Sequence, residues 1–473
     1  MERSLKLYML LNVKTKYGEV QGVVSEGGYA LFKGIPYAAP PVGELRWKKP
    51  EPPIPWEGVR ICDEFGPACL QEAAHLKPGS FYGKEFFSGS DYPPKMSEDC
   101  LFLNIWTPAR SADDKLPVKM WIHGGGVQNG YSFEKEFDGD AIARRGVILV
   151  TIGYRVNIFG FFAHPELTSE SGHNASGNYG ILDQIQALKW LRENIAAFGG
   201  DPDNITIFGQ SGGGRSVQAI CCSPLSKGLM KHAIVQSAGG ISTAAGRLPR
   251  EKVELQGIKF MEYIGCKNIS QMRAIPGEEL LNKFLDYMKE HSLGMSTFNI
   301  STDGYVLPLS LEDSIIQGVH ADIDYMLGNT ADEGRILGML HPERMMASLR
   351  GWARLQLKQG KKPAHMYCFE RKLPGDDAGA FHSAELWYIF GTLNRSWRPF
   401  TEADYKLSEQ MIDYWTNFAK TGNPNGKGLV EWTPFTDDFP CSMKFSIEGN
   451  EMTDYSNNEK LKEFEDQLLN SQQ

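Results

Sequence analysis

A chain of 473 residues exceeds what one ordinary hydrophobic core serves, so its length fits either one large, elaborated α/β domain or several smaller ones. Hydrophobic residues at 41% and charged residues at 23% supply enough apolar side chains for a full core. Lys and Arg total 49 against 58 Asp and Glu, a net charge of −9, and a surface of that sign repels phosphate backbones, which argues against nucleic acid as a partner.

The apolar run at residues 7–11, behind Arg3 and Lys6, is brief and precedes no small-residue cleavage pattern, so it does not read as a signal peptide. No uncharged apolar run approaches the ~20 residues of a membrane span. The expectation is a cytoplasmic protein without a membrane span, secretion being the lesser reading. The eight cysteines lie scattered, without C-x-x-C pairs or zinc-type histidine spacings, and read as small buried apolar residues rather than metal ligands. Cys69 and Cys100 bracket a loop and could bridge in an oxidising compartment.

In chain order, residues 13–49 are strand and turn. Residues 16–23 read as a hairpin and Gly34-Ile35-Pro36-Tyr37-Ala38-Ala39-Pro40-Pro41 as a rigid connection. Between Cys69 and Cys100, Phe81, Tyr82, Phe86, Phe87 and Tyr92 follow neither a helical nor a strand period. An aromatic loop of that length is either one wall of an apolar pocket or simple loop packing, and both readings stand. The strand at 118–122 runs into His123-Gly124-Gly125-Gly126, whose glycines present unshielded N–H groups suited to a transient oxyanion. His123 itself reads as structural. A helical stretch near 140–145 and the apolar strand at 147–152 form a β-α-β unit, which predicts a parallel sheet covered on both faces. Asp183 is read as the cap of a helix with apolar positions Ile185, Leu188, Leu191, Ile195 and Phe198, stopped by Gly199-Gly200.

Ile205-Thr206-Ile207-Phe208 is then a short buried strand entering Gly209-Gln210-Ser211-Gly212-Gly213, a G-x-S-x-G turn that holds one hydroxyl proud of the backbone. In a chain this rich in glycine the motif arises by chance about 0.3 times, so its meaning depends on what else the chain supplies. A strand at 233–235 follows, ending at Gln236-Ser237. Residues 240–320 are mostly helical, with windows at 250–263 and 278–291, and read either as a cap above the sheet or as a plain helical layer. Strands at 323–327 and 364–369 lead respectively into Gly328 to Gly334 and into a loop carrying Asp376, Asp377 and His382. A helix at 402–420, the turn Thr421-Gly422-Asn423-Pro424-Asn425-Gly426 and a polar tail from Asn457 complete the chain. Without low-complexity linkers or repeats, residues 1–473 read as one continuous domain.

Serine, acid and histidine therefore each follow a strand's carboxyl end, where open parallel sheets build sites. A serine hydroxyl needs a base to take its proton, and the base needs a carboxylate to fix its tautomer. His382 fits the base, since His365 lies within a strand and His232 begins one. Spacing does not choose between Asp332 and Glu333 as the acid, and Asp376 and Asp377 are weaker because they share the histidine's own loop.

Gly34-Ile35-Pro36-Tyr37-Ala38, Ser97-Glu98-Asp99-Cys100-Leu101-Phe102-Leu103-Asn104, His123-Gly124-Gly125-Gly126, Phe198-Gly199-Gly200-Asp201-Pro202, the elbow, Asp332-Glu333-Gly334 and Phe381-His382 together resemble the type B carboxylesterases. These are α/β-hydrolases, a group that includes cholinesterases, and the match, of bacterial esterase type, covers nearly the whole chain. The resemblance implies an α/β-hydrolase fold, a mostly parallel central sheet flanked by helices with helical cap insertions. It implies Glu333 as the acid, with Gly125, Gly126 and Gly212 as oxyanion donors, and it matches Cys69 and Cys100 to a disulfide of secreted members. The expected protein is a serine esterase without cofactor or metal, acting on a small-molecule ester through Ser211, His382 and Glu333. Feruloyl-type esterase and lipase are alternatives, and a non-catalytic interaction protein of the same fold is a remote one. Three departures stand out. The family's usual G-E-S-A-G elbow has become Gly209-Gln210-Ser211-Gly212-Gly213; the acid-to-base interval of 49 residues is shorter than in animal members, implying a more open pocket; and the aromatic loop lacks the Trp that a choline site would use.

Overall fold

The uninterrupted apolar runs form the middle of an 11-stranded sheet. The computed structural model describes residues 9–72, 79–87, 93–242, 247–338 and 341–470; Tyr92 of the aromatic loop and Arg3, Lys6 and Leu7 of the amino-terminal run lie outside them. The strands are β1 (Val23–Val24), β2 (Ala30–Pro36), β3 (Phe102–Thr107), β4 (Leu116–Ile122), β5 (Ile148–Ile152), β6 (Gly200–Gln210), β7 (His232–Gln236), β8 (Asp324–Thr330), β9 (His365–Phe369), β10 (Cys441–Phe445) and β11 (Glu451–Asp454). Their spatial order is β11-β10-β9-β8-β7-β6-β4-β5-β3-β2-β1. Pairing is parallel from β5 through β10 and antiparallel at both margins. β4, β5 and β7 are buried along nearly their whole length, as continuous apolar strands covered on both faces should be.

The chain runs outward from β4 to β5, then returns to place β6 on β4's other side, with Gly209 opposite Ile122. This reversal opens a crevice at the strands' carboxyl ends, and the glycine loop after β4 leaves the sheet beside the elbow after β6.

Four local expectations are corrected. The helix around Asp183 spans Tyr179–Asn194, so Asp183 is not its cap. The Asp183 carboxylate is fully buried and receives Arg155 Nη2 at 2.7 Å and Nε at 2.8 Å. The aromatic loop contains a helix, Phe81–Phe86, capped by the Ser80 hydroxyl accepting from Gly83 N at 3.0 Å. Gly34-Ile35-Pro36 closes β2 rather than forming a connection. The polar tail is in part the helix Glu459–Asn470, whose Leu461 and Phe464 pack on Met346, Ala347 and Cys368. With Leu468 packed beside them, three apolar positions among many charged ones suffice for an amphipathic surface helix, which composition alone disguises.

Within 240–320 the described helices include Arg250–Tyr263, Ile269–Ala274 and Gly277–Glu290. Two interlocked arginines fasten them to the amino-terminal part. Arg46 donates to Glu98 and to the carbonyls of Met272 and Ile275, while Arg273 Nε donates to the Arg46 carbonyl at 3.0 Å.

Lys119, on β4, is fully buried 4.2 Å from the centre of the Phe208 ring, and among the described residues its ammonium has no hydrogen-bond partner. Burial lowers its pKa to about 7. The unfolded chain binds the proton more tightly, so the resulting instability is full below pH 7 and disappears as pH rises toward the ordinary lysine value. Lys119→Met is expected to raise the melting temperature by a few degrees at pH 6.5, with the gap closing by pH 10; calorimetry at both pH values checks it.

Candidate active site

The turn after β6 is built by contacts that admit no side chain. A Cβ on Gly213 would lie 2.0 Å from the Ile122 carbonyl oxygen, and one on Gly209 would lie 2.6 Å from the Gly213 backbone. Squeezed between these contacts, Ser211 takes φ 56° and ψ −124°, a conformation costly for a residue with a Cβ. Its N–H donates to the Gln236 carbonyl at 2.9 Å, and the helix Gly212–Cys222 starts immediately after it. Positive φ also occurs at Val127, Ser237 and Ser383, all bordering the same crevice.

The glycine loop lies against this elbow. Gly125 and Gly126 have φ of 86° and 64°, and among the described residues their N–H groups donate to no acceptor. Gly212 opens its helix, so its N–H has no partner within that helix. The loop's carbonyls are occupied: Gly125 O accepts from Gln128 N at 2.9 Å, Gly126 O from Asn299 Nδ2 at 3.2 Å and Val127 O from Asn157 N at 2.8 Å. The carbonyls are thus occupied while the N–H groups remain unspent. His123 is buried, stacks on Tyr154 with ring centres 4.3 Å apart and is held neutral by burial, which lowers its pKa to about 3. It supports the loop, as its sequence context suggested.

Acid and base meet through strand register. Beyond the paired ends of β8 and β9, a further parallel bridge joins Asp332 to Phe381, which sets Glu333 beside His382. His382 Nδ1 lies 2.5 Å from Glu333 Oε2, and Glu333 Oε1 accepts from Thr330 N at 3.0 Å. Asp332 turns instead to the histidine loop and accepts from Ala380 N at 2.8 Å. Asp376 pairs with Arg398. Of the alternatives left open by spacing, Glu333 alone reaches the imidazole.

The model of the Carboxylesterase family matches residues 10–350 and 343–464. The chain belongs to the carboxylesterase family. It is 37% identical over 478 residues to the fumonisin B1 esterase of Sphingopyxis macrogoltabida, covering 89% of this chain and 84% of that relative. It is 34% identical over 475 residues to the para-nitrobenzyl esterase of Bacillus subtilis (strain 168), covering 89% and 92%. Among solved structures, a thermophilic PNB esterase superposes with a TM-score of 0.83 at 30% identity, covering 97% of this chain and all of that one. The fold is that of the α/β-hydrolases, and the protein is an ester hydrolase. No helix of the described residues is long and apolar enough to cross a membrane.

Several residues that matter to this carboxylesterase site carried no sequence signal. Glu385 is fully buried, three residues after His382; burial, then the charge of Glu333, pushes its carboxyl up to about 7. Gln236 Nε2 donates to one of its oxygens at 3.2 Å. Burial works to raise the Glu333 pKa, but the charge and hydrogen bond of His382 outweigh it and hold the carboxyl below the ordinary range. The aromatic helix, left between two readings, packs on the histidine loop: Phe81 meets Phe381 edge-on at 4.9 Å and the Tyr82 hydroxyl donates to the His382 carbonyl at 3.3 Å. Glu85 anchors that helix by accepting from Trp387 Nε1, Trp397 Nε1 and Arg398 Nε at 2.9 to 3.0 Å. Cys69 and Cys100 are free thiols, and their mutual hydrogen bond together with burial keeps Cys100 protonated.

Burial works to lower the His382 pKa, but the charge and hydrogen bond of Glu333, with the charge of Glu385, outweigh it and leave it above the ordinary 6.5. A base must be neutral to accept a proton, so with His382 in that role activity is expected to fall as pH drops through the raised value. The acid limb of kcat/KM is therefore expected to have its midpoint above 6.5; a midpoint at or below 6.5 would contradict the ion pair.

Proposed function

We propose that the enzyme hydrolyses carboxylic esters through an acyl-enzyme formed on Ser211. The Ser211 oxygen attacks the ester carbonyl carbon while His382 Nε2 takes its proton, and Glu333 fixes the imidazole with Nδ1–H directed to itself. The N–H groups of Gly125, Gly126 and Gly212 receive the negative charge that develops on the carbonyl oxygen. The alcohol leaves with the proton from His382, and a water activated in the same way releases the acid. The observation that carries this reading is the convergence of the strained Ser211, the Glu333–His382 pair and the unspent N–H groups at adjacent strand ends.

The preferred substrates are small to medium esters with an aryl or bulky group. Support comes from the aromatic helix beside His382 and from Met295, 62% exposed, whose Sδ would lie 3.6 Å from a Cβ on Gly126 and so places an apolar side chain over the glycine loop. The names of the para-nitrobenzyl and fumonisin B1 esterases point the same way. In this reading the chain is one domain, with residues 240–320 as its cap. A fluorophosphonate should add its mass at Ser211, and aryl esters should be turned over faster than cinnamoyl or long-chain acyl esters. No adduct at Ser211 would refute the mechanism, and preference for a cinnamoyl or long-chain ester would make the enzyme a feruloyl-type esterase or a lipase.

A further inference from the structure

The nitrogen of His382 that must accept the serine proton already has a partner. Nδ1 is committed to Glu333 at 2.5 Å, and on the opposite side Nε2 lies 3.2 Å from Gln210 Nε2. Among the described residues no hydrogen bond joins His382 to the Ser211 hydroxyl. Gln210 is 2% exposed, so its amide is held inside the site rather than waving in solvent. Its other end faces the glycine loop, where a Cβ on Gly124 would lie 3.2 Å from Gln210 Oε1. The amide thus spans the gap between the oxyanion loop and the base, one residue before the nucleophile.

We propose that Gln210 caps the base of the resting enzyme, its amide N–H donating to Nε2 of neutral His382, and that ester binding displaces the amide so that Nε2 turns to the Ser211 hydroxyl. The inference rests on the reading of Ser211, Glu333 and His382 as the catalytic set. A neutral imidazole whose Nδ1–H is given to a carboxylate keeps a single lone pair, on Nε2, and one lone pair serves one donor. Gln210 and Ser211 therefore compete for it. When Nε2 takes the serine proton it becomes a donor, and an amide N–H can no longer face it; only the amide oxygen could. A carboxylate at this position, as in the family's usual elbow, would invert the preference and favour the protonated ring. The other groups facing His382 are the carboxylates of Glu333 and Glu385 and the Tyr82 phenol on its carbonyl, with Arg398 over the ring of the adjacent Phe381. None of these reaches Nε2, so Gln210 sets the preference of that nitrogen by itself.

The test follows the His382 Nε2 resonance of the full chain, labelled with 15N-histidine, through a pH titration, with His382→Gln to assign it. Gln210→Met keeps the bulk and removes the donor; Gln210→Glu keeps the bulk and adds charge. The titration midpoint is expected to rise by about half to one pH unit in Gln210→Met and by more in Gln210→Glu. With the competitor gone, Ser211 in Gln210→Met should react severalfold faster with a fluorophosphonate at pH values where His382 is neutral in both proteins. A Gln210→Met midpoint equal to that of the parent overturns the proposal. Failure of the parent's Ser211 to react overturns the underlying catalytic reading instead, and the titration distinguishes the two.

Discussion

Ser211→Ala is expected to lower turnover of an aryl ester by on the order of 10⁴- to 10⁶-fold while leaving the melting temperature unchanged or slightly higher. Loss on this scale follows because the remaining groups of such a set have nothing to activate once the nucleophile is gone, and the oxyanion donors alone supply only residual catalysis. The fold should not suffer. Alanine has the same Cβ, so the backbone at φ 56° is no more strained than before, and the contacts that shape the turn belong to Gly209 and Gly213. The hydroxyl removed is no part of the packing, since the N–H and carbonyl of Ser211 make its hydrogen bonds, to Gln236 O and from Arg215 N. Undiminished turnover in the purified variant would sink the assignment of Ser211. Loss of both turnover and the folding transition would show that the residue had been serving the turn.

Gly212→Ala, which restores the family's usual elbow residue, is expected to cost about 10²- to 10³-fold in kcat with a smaller change in KM. The Cβ it introduces would lie 2.7 Å from both Gly126 N and Val127 N. Those atoms are backbone, so relief requires the glycine loop itself to move, and the loop carries two of the three N–H groups assigned to the oxyanion. Such donors act through fixed geometry on charge present only in the transition state, which is why the loss falls on kcat. The sheet should tolerate the shift, because the loop leaves it beyond the end of β4. Full activity in Gly212→Ala would mean that the loop's present position does not set the oxyanion geometry.

The parts of the device were legible in the chain because each is specified by local chemistry. A glycine on either side of Ser211 is demanded by backbone contacts well under 3 Å, and three glycines at a strand end bare N–H groups wherever that strand lies. Continuous apolar runs required a parallel sheet buried on both faces, and β4, β5 and β7 obey. Local pattern misled where charge was mistaken for solvent exposure. Asp183 read as a helix cap but is a buried partner of Arg155, and the polar tail hid the helix that seats Leu461 and Phe464. Spacing left Asp332 and Glu333 open and the family resemblance implied Glu333; in the tertiary structure it is Glu333 that meets the histidine. Asp332 and Glu333 are neighbours in sequence with the same charge, and the choice rests on the parallel bridge from Asp332 to Phe381, a register between segments 49 residues apart. Glu385 near neutrality and Gln210 against His382 Nε2 are likewise products of burial and long-range approach. The sequence by itself determined the set of groups, because backbone sterics and periodicity act along the chain; their pairing and their protonation awaited the fold, because distance and desolvation act across it.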